Sequence, residues 1–438
     1  MSEEAETIDL RRRHLLVGLA AGAGASLAGC AGLESSAQAA ATAAQGASGG
    51  GDAARIPSGF RRLAGQLADP PAAVSKGEAW IEFCESLKPL ARLVTGPESF
   101  GERQNQTEGL RCLARLVALG FDRFLENGDP RHPAFYDLQT PTRKYLGDNP
   151  DQTYRGVTID GTGVFRVRGS TAGAAGVEIG LYAGGFRSDS GEPGGGRRLV
   201  DSLDERNLSV DPDGNFELVV APEGVSTEQA ANRLVSDVDT NTLLIRTYFW
   251  DRDRRLAHSF PGIERLDVAD PRPPLDPTSL IRGLLATTAF VEGSMEWWRR
   301  FDLGRDRLNE LFVMPDDGSV QTPSRVRYMN GMIRLDPDEA FVVEFMPMAE
   351  PDYWSWVLQN VWGETPDWRD RPVVKNNREL VREDDGRIRI VVAEADPGIA
   401  NWLDMAGHRQ ALLSLRWRGE SALPSVATAV VKTASLGA

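Results

Sequence analysis

Apolar residues recur along this chain with two different periods, and the change between them divides it into helical and strand-rich parts. From residue 59 to 128, apolar side chains recur every three or four positions, which predicts amphipathic helices. Asn127 and Gly128 are typical of a helix end, and residues 80–93 predict a second helix of the same kind. The repeating positions of the longer helix are Leu110, Leu113, Val117, Phe121 and Phe124.

From about residue 155, apolar and polar side chains alternate, which predicts half-buried β-strands. The predicted strands cover residues 164–168, 177–182, 216–220 and 243–249, and then 341–345, 354–361, 387–393 and 411–417. Between the two groups, Asp276 followed by Pro277 is typical of a helix start, so we expect a helix through Leu284 and Leu285. Residues 187–198 are rich in glycine and predict a mobile loop, and residues 211–215 predict a turn between strands.

Short strands joined by Gly, Pro and Asp turns predict an antiparallel β-sandwich or jelly-roll-like layers. The helices form two blocks and do not alternate with strands, which argues against a parallel α/β fold. We therefore predict an α+β chain. It consists of a helical region (56–150), a β-rich domain (151–270), a helical insert (271–324) and a C-terminal β-sandwich domain (325–438).

The N-terminal segment predicts export. Arg12 and Arg13 precede an apolar, Gly- and Ala-rich run and resemble a twin-arginine signal, with an ordinary secretory signal as the alternative. The run ends in Leu-Ala-Gly-Cys, which resembles a lipobox with Cys30 as the lipidated residue. We expect residues 1–29 to be the signal and residues 30–55 to be a flexible tether. The protein would then be anchored on the periplasmic or extracellular side of a membrane, and no later apolar run of about 18 residues predicts a transmembrane helix.

Charge and cysteine content limit the partners. The net charge is −14 with no cluster of basic residues, which argues against nucleic acid as a partner and against electrostatic attraction of the globular surface to anionic lipid. We therefore expect contact with the membrane through the lipid anchor only. Cys84 and Cys112 lie in apolar helical patterns, so we expect two buried free thiols, with one disulfide between them as the alternative. The histidines are scattered and the glycine runs lack a phosphate-binding context, so we assign no metal or nucleotide site, and the sequence identifies no cofactor.

Aromatic and polar side chains are densest in the last hundred residues. If residues 354–362 form one strand, Trp354, Trp356 and Trp362 share a face with Asn360. Aromatic rings beside Asn and Asp would suit a sugar or another ring-bearing ligand, and the alternative is that the tryptophans fill the sandwich core. The candidate ligand-binding residues are Trp354, Trp362, Asn376, Asp396, Asn401, Trp402 and Arg416.

Asp404 and His408 are the candidate catalytic pair. Histidine titrates near neutral pH and can act as a general base, and Asp404 would lie one turn before it if the segment were helical. No Gly-x-Ser-x-Gly elbow accompanies them, so nucleophilic catalysis has no support. The alternative is a structural histidine bonded to the backbone of the loop at Asp396.

The same region resembles the bacterial family called domain of unknown function 1214. Tyr353-Trp354 is followed by a signature that runs from Asp396-Pro397-Gly398 through Asn401-Trp402-Leu403-Asp404 to Gly407-His408. The motifs cover about residues 325–432, and residues 142–151 match a looser upstream motif of similar proteins. The resemblance implies a mixed fold with jelly-roll-like sandwich layers and attached helices, and often a homo-oligomer. It implies no reaction.

These observations predict an exported, lipid-anchored envelope protein that binds or processes a carbohydrate or other ring-bearing small molecule. The alternative is a non-catalytic envelope binding or assembly protein, in which the signature only shapes the sandwich. The surroundings of His408 discriminate between the two. Burial with both ring nitrogens bonded favours the alternative, whereas an opening into a pocket with carboxylates favours chemistry.

Overall fold

The computed structural model describes residues 58–96, 99–185, 197–226, 230–315, 325–347 and 349–436. The predicted signal, the predicted tether and most of the predicted loop at 187–198 lie outside these residues. The predicted α+β class is confirmed, since two helical stretches accompany four mostly antiparallel sheets. None of the helices in these ranges is long and apolar enough to cross a membrane.

The helices lie where the apolar periodicity predicts them. The first stretch contains α1 (Ser58–Gly65), α2 (Pro70–Ser75), α3 (Glu78–Leu87), α4 (Ala91–Thr95) and α5 (Arg103–Phe121). Helix α5 continues as one π-helical turn (Asp122–Glu126) and stops at Asn127. After the short α6 (Arg252–Ala257), the second stretch is α7 (Pro277–Arg300). Its predicted cap is confirmed, because the Asp276 carboxylate accepts a hydrogen bond from the Ser279 backbone N–H at 3.0 Å.

Within the described residues, nine strands form the first sandwich. They are β1 (Tyr136–Asp137), β2 (Gln152–Thr158), β3 (Phe165–Ser170), β4 (Gly176–Ala183), β5 (Arg198–Asp204), β6 (Asn215–Pro222), β7 (Arg233–Ser236), β8 (Thr240–Tyr248) and β9 (Gly262–Arg265). One sheet has the order β1-β2-β8-β4-β5 and the other the order β7-β6-β3-β9, with β6 and β7 parallel. Alternate side chains of both sheets fill the space between them, among them Phe165, Ile179 and Leu243.

The second sandwich is built in the same way. Its strands are β10 (Phe312–Val313), β11 (Val326–Arg334), β12 (Glu339–Phe345), β13 (Tyr353–Gln359), β14 (Val374–Asn376), β15 (Ile388–Ala393), β16 (Trp402–Asp404), β17 (Gln410–Arg418) and β18 (Val426–Lys432). The sheet orders are β10-β11-β17-β13-β14 and β16-β15-β12-β18, with β15 and β16 parallel. Trp354, Trp356 and Trp417 lie in the core between these sheets.

Helices α5 and α7 form a layer against the second sandwich, in one apolar cluster with Met332 of β11 and Leu412 of β17. Two glycines of α5 permit the close packing. A Cβ on Gly109 would lie 2.6 Å from the ring of Trp362, and a Cβ on Gly120 would lie 2.5 Å from Thr287 of α7. Because no side chain fits at either position, glycine sets the distance between α5 and its neighbours.

The buried face of α5 differs from the predicted one because the helix packs closely at Gly109. The buried side of the helix includes Gly109, Cys112 and Leu116, whereas Leu110 is exposed. The apolar repeat predicts that Leu110 is buried, because the repeat counts only apolar side chains. It does not show that the Trp362 ring packs against the glycine face of the helix. Cys84 is also exposed, contrary to the expectation of two buried thiols, although both cysteines are free as predicted.

Strand β13 is shorter than predicted, which separates the tryptophans expected on one face. It ends at Gln359, and a turn follows in which Gly363 donates a backbone hydrogen bond to Asn360 at 3.0 Å. Trp354 and Trp356 point into the sandwich core, but the turn directs Trp362 into the helical layer. The single aromatic face predicted for residues 354–362 is therefore wrong.

Candidate functional site

A buried polar segment precedes β2 and lies where the two sandwiches meet. We call residues 144–151 the junction segment. Its Lys144, Asp148, Asn149 and Asp151 are each at most 3 % exposed, although each carries a charge or an amide. Buried polar groups are costly unless they are hydrogen-bonded, so their partners identify what the segment holds together.

Asp148 bonds to the second sandwich through both its carboxylate and its backbone. Thr365 donates to the two carboxylate oxygens, from its backbone N–H at 2.7 Å and from its hydroxyl at 2.6 Å. Gln359, at the end of β13, donates to the Asp148 carbonyl at 2.8 Å. Arg416 of β17 donates to the Gly147 and Asp148 carbonyls. The predicted site residue Arg416 therefore fixes the junction segment to the second sandwich.

Asp151 is the second polar centre of the junction. Its Oδ2 accepts hydrogen bonds from the Tyr353 hydroxyl at 3.0 Å and from the Asn376 side-chain amide at 3.1 Å. Arg252 lies 2.8 Å from its Oδ1 and forms a bidentate pair with Glu379 of the second sandwich. Burial outweighs the charge of Arg252 and raises the pKa of Asp151 to about 6.

A further ion pair crosses between the five-stranded sheets of the two sandwiches. Arg418 of β17 lies 3.2 Å from Glu178 of β4, and both side chains are buried. The Tyr248 hydroxyl donates to Glu178 at 3.0 Å, and the Tyr248 and Tyr353 rings are 5.3 Å apart. The sandwiches are thus joined by bonded buried charges as well as by apolar contact.

His408 lies against α5, which packs on the same outer face of the five-stranded sheet as the junction segment. Its Nε2 is 2.7 Å from a carboxylate oxygen of Glu108, and its Nδ1 is 2.9 Å from the Met405 carbonyl. Asn360 donates to the same Glu108 oxygen at 2.9 Å. The histidine side chain is 4 % exposed. Burial opposes its charged form, but the hydrogen bond and charge of Glu108 outweigh burial and raise the pKa of His408.

Two turns further along α5, Arg115 pairs with Glu364 at 2.6 Å. The Glu364 side chain is 1 % exposed, and its Oε1 has no hydrogen-bond partner within the described part of the chain. Burial raises the pKa of Glu364 to about 7, against the opposing charge of Arg115. Burial beside Glu364 also raises the pKa of the Cys112 thiol, which makes that thiol a poor nucleophile at neutral pH.

The nine predicted site residues lie in four different places. Trp354 is in the sandwich core, while Trp362 and His408 face the helical layer. Asn376 and Arg416 belong to the junction. The other four lie along the signature between β15 and β17: Asp396, Asn401, Trp402 and Asp404.

Each of these four signature residues bonds within the second sandwich. Asp396 accepts a hydrogen bond from the Gly398 backbone in an exposed turn, and Asn401 bonds to the backbone of Val381 and Arg389. The Trp402 indole donates to the Ala393 carbonyl at 3.1 Å. Asp404 lies in β16, 2.6 Å from Arg371. The helix that would place Asp404 one turn before His408 is not present, because β16 and a turn occupy these positions.

Sequence reasoning missed the partners of the predicted residues. Glu108 bonds to His408, and Asp151 bonds to Asn376. The buried pair of Arg115 and Glu364 was not predicted at all. Glu108 is the one acidic residue of α5, but its partner His408 lies 300 positions away, so nothing in the sequence indicated that the two meet. The only available signal for Asp151 was its place in the upstream motif at 142–151.

A small cavity lies between α5, α7 and β8. Tyr136, Tyr145 and Phe290 line it, together with Arg123 and Thr242. Its volume is about 10 Å³, close to what a single water molecule needs. Arg123 donates to the Thr242 hydroxyl at 3.2 Å. The cavity therefore combines aromatic walls with a guanidinium group at the size of a solvent site.

Comparison with known proteins places this geometry in a family. The sequence model of the family "Protein of unknown function (DUF1214)" matches residues 330–419. An uncharacterised protein from Burkholderia cenocepacia of known crystal structure is 30% identical over 83% of this chain and 99% of its own, with a TM-score of 0.76. A protein of Vibrio parahaemolyticus is 11% identical, with 73% of this chain and 96% of that chain covered and a TM-score of 0.43. No functionally curated protein matches the sequence.

Proposed function

This chain belongs to the DUF1214 family of proteins of unknown function, and from that premise we propose that it is an exported, lipid-anchored envelope protein that acts by binding and not by catalysis. One observation carries the proposal: the polar side chains of the family signature bond to other parts of the same chain. Asn376 and Arg416 bond to the junction segment, and His408 bonds to α5. Donors and acceptors that are bonded within the chain hold the fold together. A binding partner of the protein would therefore contact its outer surface.

The surroundings of His408 favour this choice. Both of its ring nitrogens are bonded and the side chain is buried, which is typical of a structural histidine. The Asp404 carboxylate is bonded to Arg371 and to the Ala406 backbone N–H. Each member of the predicted acid–base pair therefore has a structural partner, and neither is the partner of the other.

The cellular location is supported by the sequence around Cys30. A first experiment expresses the full chain in a host with the twin-arginine pathway and compares the wild type with Cys30→Ser. The wild type should sediment with membranes and carry the mass of acyl chains on Cys30, and Cys30→Ser should not. A matched control, Arg12→Lys with Arg13→Lys, should keep the chain inside the cell. A wild-type protein with no acyl mass would contradict the anchored location.

Binding and catalysis are separated by complementation. In a deletion strain with a measurable envelope defect, Asp404→Asn with His408→Gln should restore the phenotype in proportion to the amount of folded protein. The control is Asn401→Ala, which removes a structural amide bonded to two backbone carbonyls. If the Asp404 and His408 variant is fully folded and abundant but inactive, the pair has a role beyond the fold, and our proposal that these side chains are structural fails.

A second candidate is the binding or processing of a carbohydrate or other ring-bearing molecule, and the cavity beside Phe290 favours it. Aromatic walls and the Arg123 guanidinium group suit a ring with an acidic or hydroxyl substituent. A cavity of about 10 Å³ admits a ring only if α5 and α7 separate from β8. Thermal unfolding in the presence of sugars and aromatic acids tests this candidate, and a rise in Tm that Arg123→Met abolishes would support it.

A further inference from the structure

Helix α3 carries a pair of large apolar side chains on its outer surface. Trp80 is 56% exposed and the adjacent Ile81 is 55% exposed, whereas Ala79 and Phe83 on the other side of the helix are buried. The Trp80 ring rests on Phe83 at a centroid distance of 5.5 Å and on Phe121 of α5 at 6.4 Å. The indole is therefore held in place by the protein while more than half of it faces outward.

This surface belongs to the part of the fold that is nearest in sequence to the anchor. Helix α1 begins at Ser58, about 28 residues after Cys30, and packs against α3 in one apolar cluster with α7. A chain of that length spans at most ~100 Å when extended. If this Ala-, Gly- and Ser-rich segment is the flexible tether that the sequence predicts, its average reach would be roughly 30 Å. An anchor at Cys30 would thus keep α1 and α3 close to the membrane.

The local charge also suits a membrane surface better than the whole chain does. Residues 58–96 contain five basic and four acidic side chains, although the protein as a whole carries −14. Two of the five lysines of the chain, Lys76 and Lys88, flank α3 and are exposed. Helix α3 itself carries Glu78, Glu82 and Glu85, and Lys88 pairs with Glu85 at 2.5 Å, so the contact would depend on the two apolar side chains more than on charge. A tryptophan beside an aliphatic side chain is typical of the interface between lipid headgroups and acyl chains.

We propose that α3 lies on the phospholipid bilayer that holds the anchor, with Trp80 and Ile81 inserted at the boundary between headgroups and acyl chains. The inference rests on the proposed lipid anchoring and adds a second, protein-mediated contact to it. It replaces the expectation that the membrane is touched only through the anchor. The two contacts together would fix the orientation of the sandwiches relative to the membrane, which a tether alone cannot do.

The test uses the full acylated protein reconstituted in vesicles of phosphatidylcholine and phosphatidylglycerol with brominated acyl chains. Trp80 is one of ten tryptophans, so bromine should quench roughly a tenth of the total emission if the ring reaches the acyl boundary. Trp80→Phe should lose this quenching. The matched control Trp402→Phe, in the second sandwich, should keep it. Equal quenching in the wild type and in Trp80→Phe would overturn the proposal.

Hydrogen exchange of residues 78–87 provides an independent readout. Vesicles should slow exchange in this segment of the wild type, and Ile81→Asp should remove the effect while the protein stays acylated. Slowing that depends on protein concentration and not on vesicles would assign the surface to a second copy of the chain and refute the bilayer contact. Absence of acyl mass on Cys30 refutes the anchoring itself, so the two failures are distinguishable.

Discussion

Replacing Glu364 by glutamine should remove the loss of stability that the wild-type protein shows as the pH rises towards neutrality. The carboxyl group is buried against α5 and bonded to Arg115, and burial raises its pKa from 4.5 to about 7. In the unfolded chain it would titrate at its ordinary value. Between these two values the folded state holds a proton that the unfolded state releases, so stability falls as the pH rises. Glutamine has nearly the same shape and stays uncharged at every pH.

The size of the effect follows from the two pKa values. The difference between a pKa of 4.5 and a pKa of about 7 corresponds to about 3 kcal/mol in the free energy of unfolding. The favourable contribution of the protonated carboxyl is complete below pH 4.5 and is lost as the pH passes about 7. The free energy of unfolding of Glu364→Gln, minus that of the wild type, should therefore rise by about 3 kcal/mol from acid to neutral pH and then level off.

Urea unfolding followed by circular dichroism at several pH values between about 4 and 8 measures this difference. Taking the difference between the two proteins cancels the titration of every other group. Glu420→Gln, at a side chain that is 77% exposed, is the control and should show no such rise. A difference that stays constant across this pH range, or that falls with pH, would refute the assignment of a raised pKa to Glu364.

Three further predictions concern packing and the buried ion pairs. Gly109→Ala should lower the free energy of unfolding by about 1–3 kcal/mol because its Cβ would overlap an indole ring, whereas Gly65→Ala, with open space around it, should be neutral or stabilising in chemical denaturation. Arg418→Met should cost about 3–5 kcal/mol in the same assay, since it leaves Glu178 buried without its cation; substitution of both partners by apolar residues should recover most of that loss. His408→Gln should lower the free energy of unfolding more at about pH 6 than at about pH 9. Because the pKa of His408 is raised in the folded protein, its charged form stabilises the fold below the pKa of the unfolded chain, and this contribution is lost once the pH exceeds the pKa of the folded protein. An equal cost at both pH values would contradict a charged pair of His408 and Glu108.

The sequence predicted the secondary structure well because the signal is local. Strand β6 alternates exposed and buried residues from Asn215 to Leu218, and the cap at Asp276 lies beside the helix it starts. Such patterns depend on residues a few positions apart, and the chain carries them wherever it folds. The same reasoning failed at Leu110, where burial depends on an indole ring from Trp362 that lies 252 positions away in the chain.

The predicted grouping of the site residues in one pocket was wrong for the same physical reason. The residues of the signature are close together in sequence, which suggested a single pocket. In the structure their partners come from distant segments: Tyr353 bonds to Asp151, and His408 bonds to Glu108. Composition and spacing identify which residues carry polar groups, but they do not identify which donor meets which acceptor across a folded chain.

The junction segment also determines when the protein can become folded during its synthesis. The bond between Tyr353 and Asp151 closes a loop of 202 residues, and that between His408 and Glu108 closes one of 300. The first half of the chain therefore leaves the ribosome before the partners of these polar groups have been synthesised, although the same groups are buried in the folded protein. Contacts of such long range slow folding. In the proposed twin-arginine route, which carries folded chains, export would have to wait until translation has passed Arg418, so the junction would set the earliest moment at which the signal can be used.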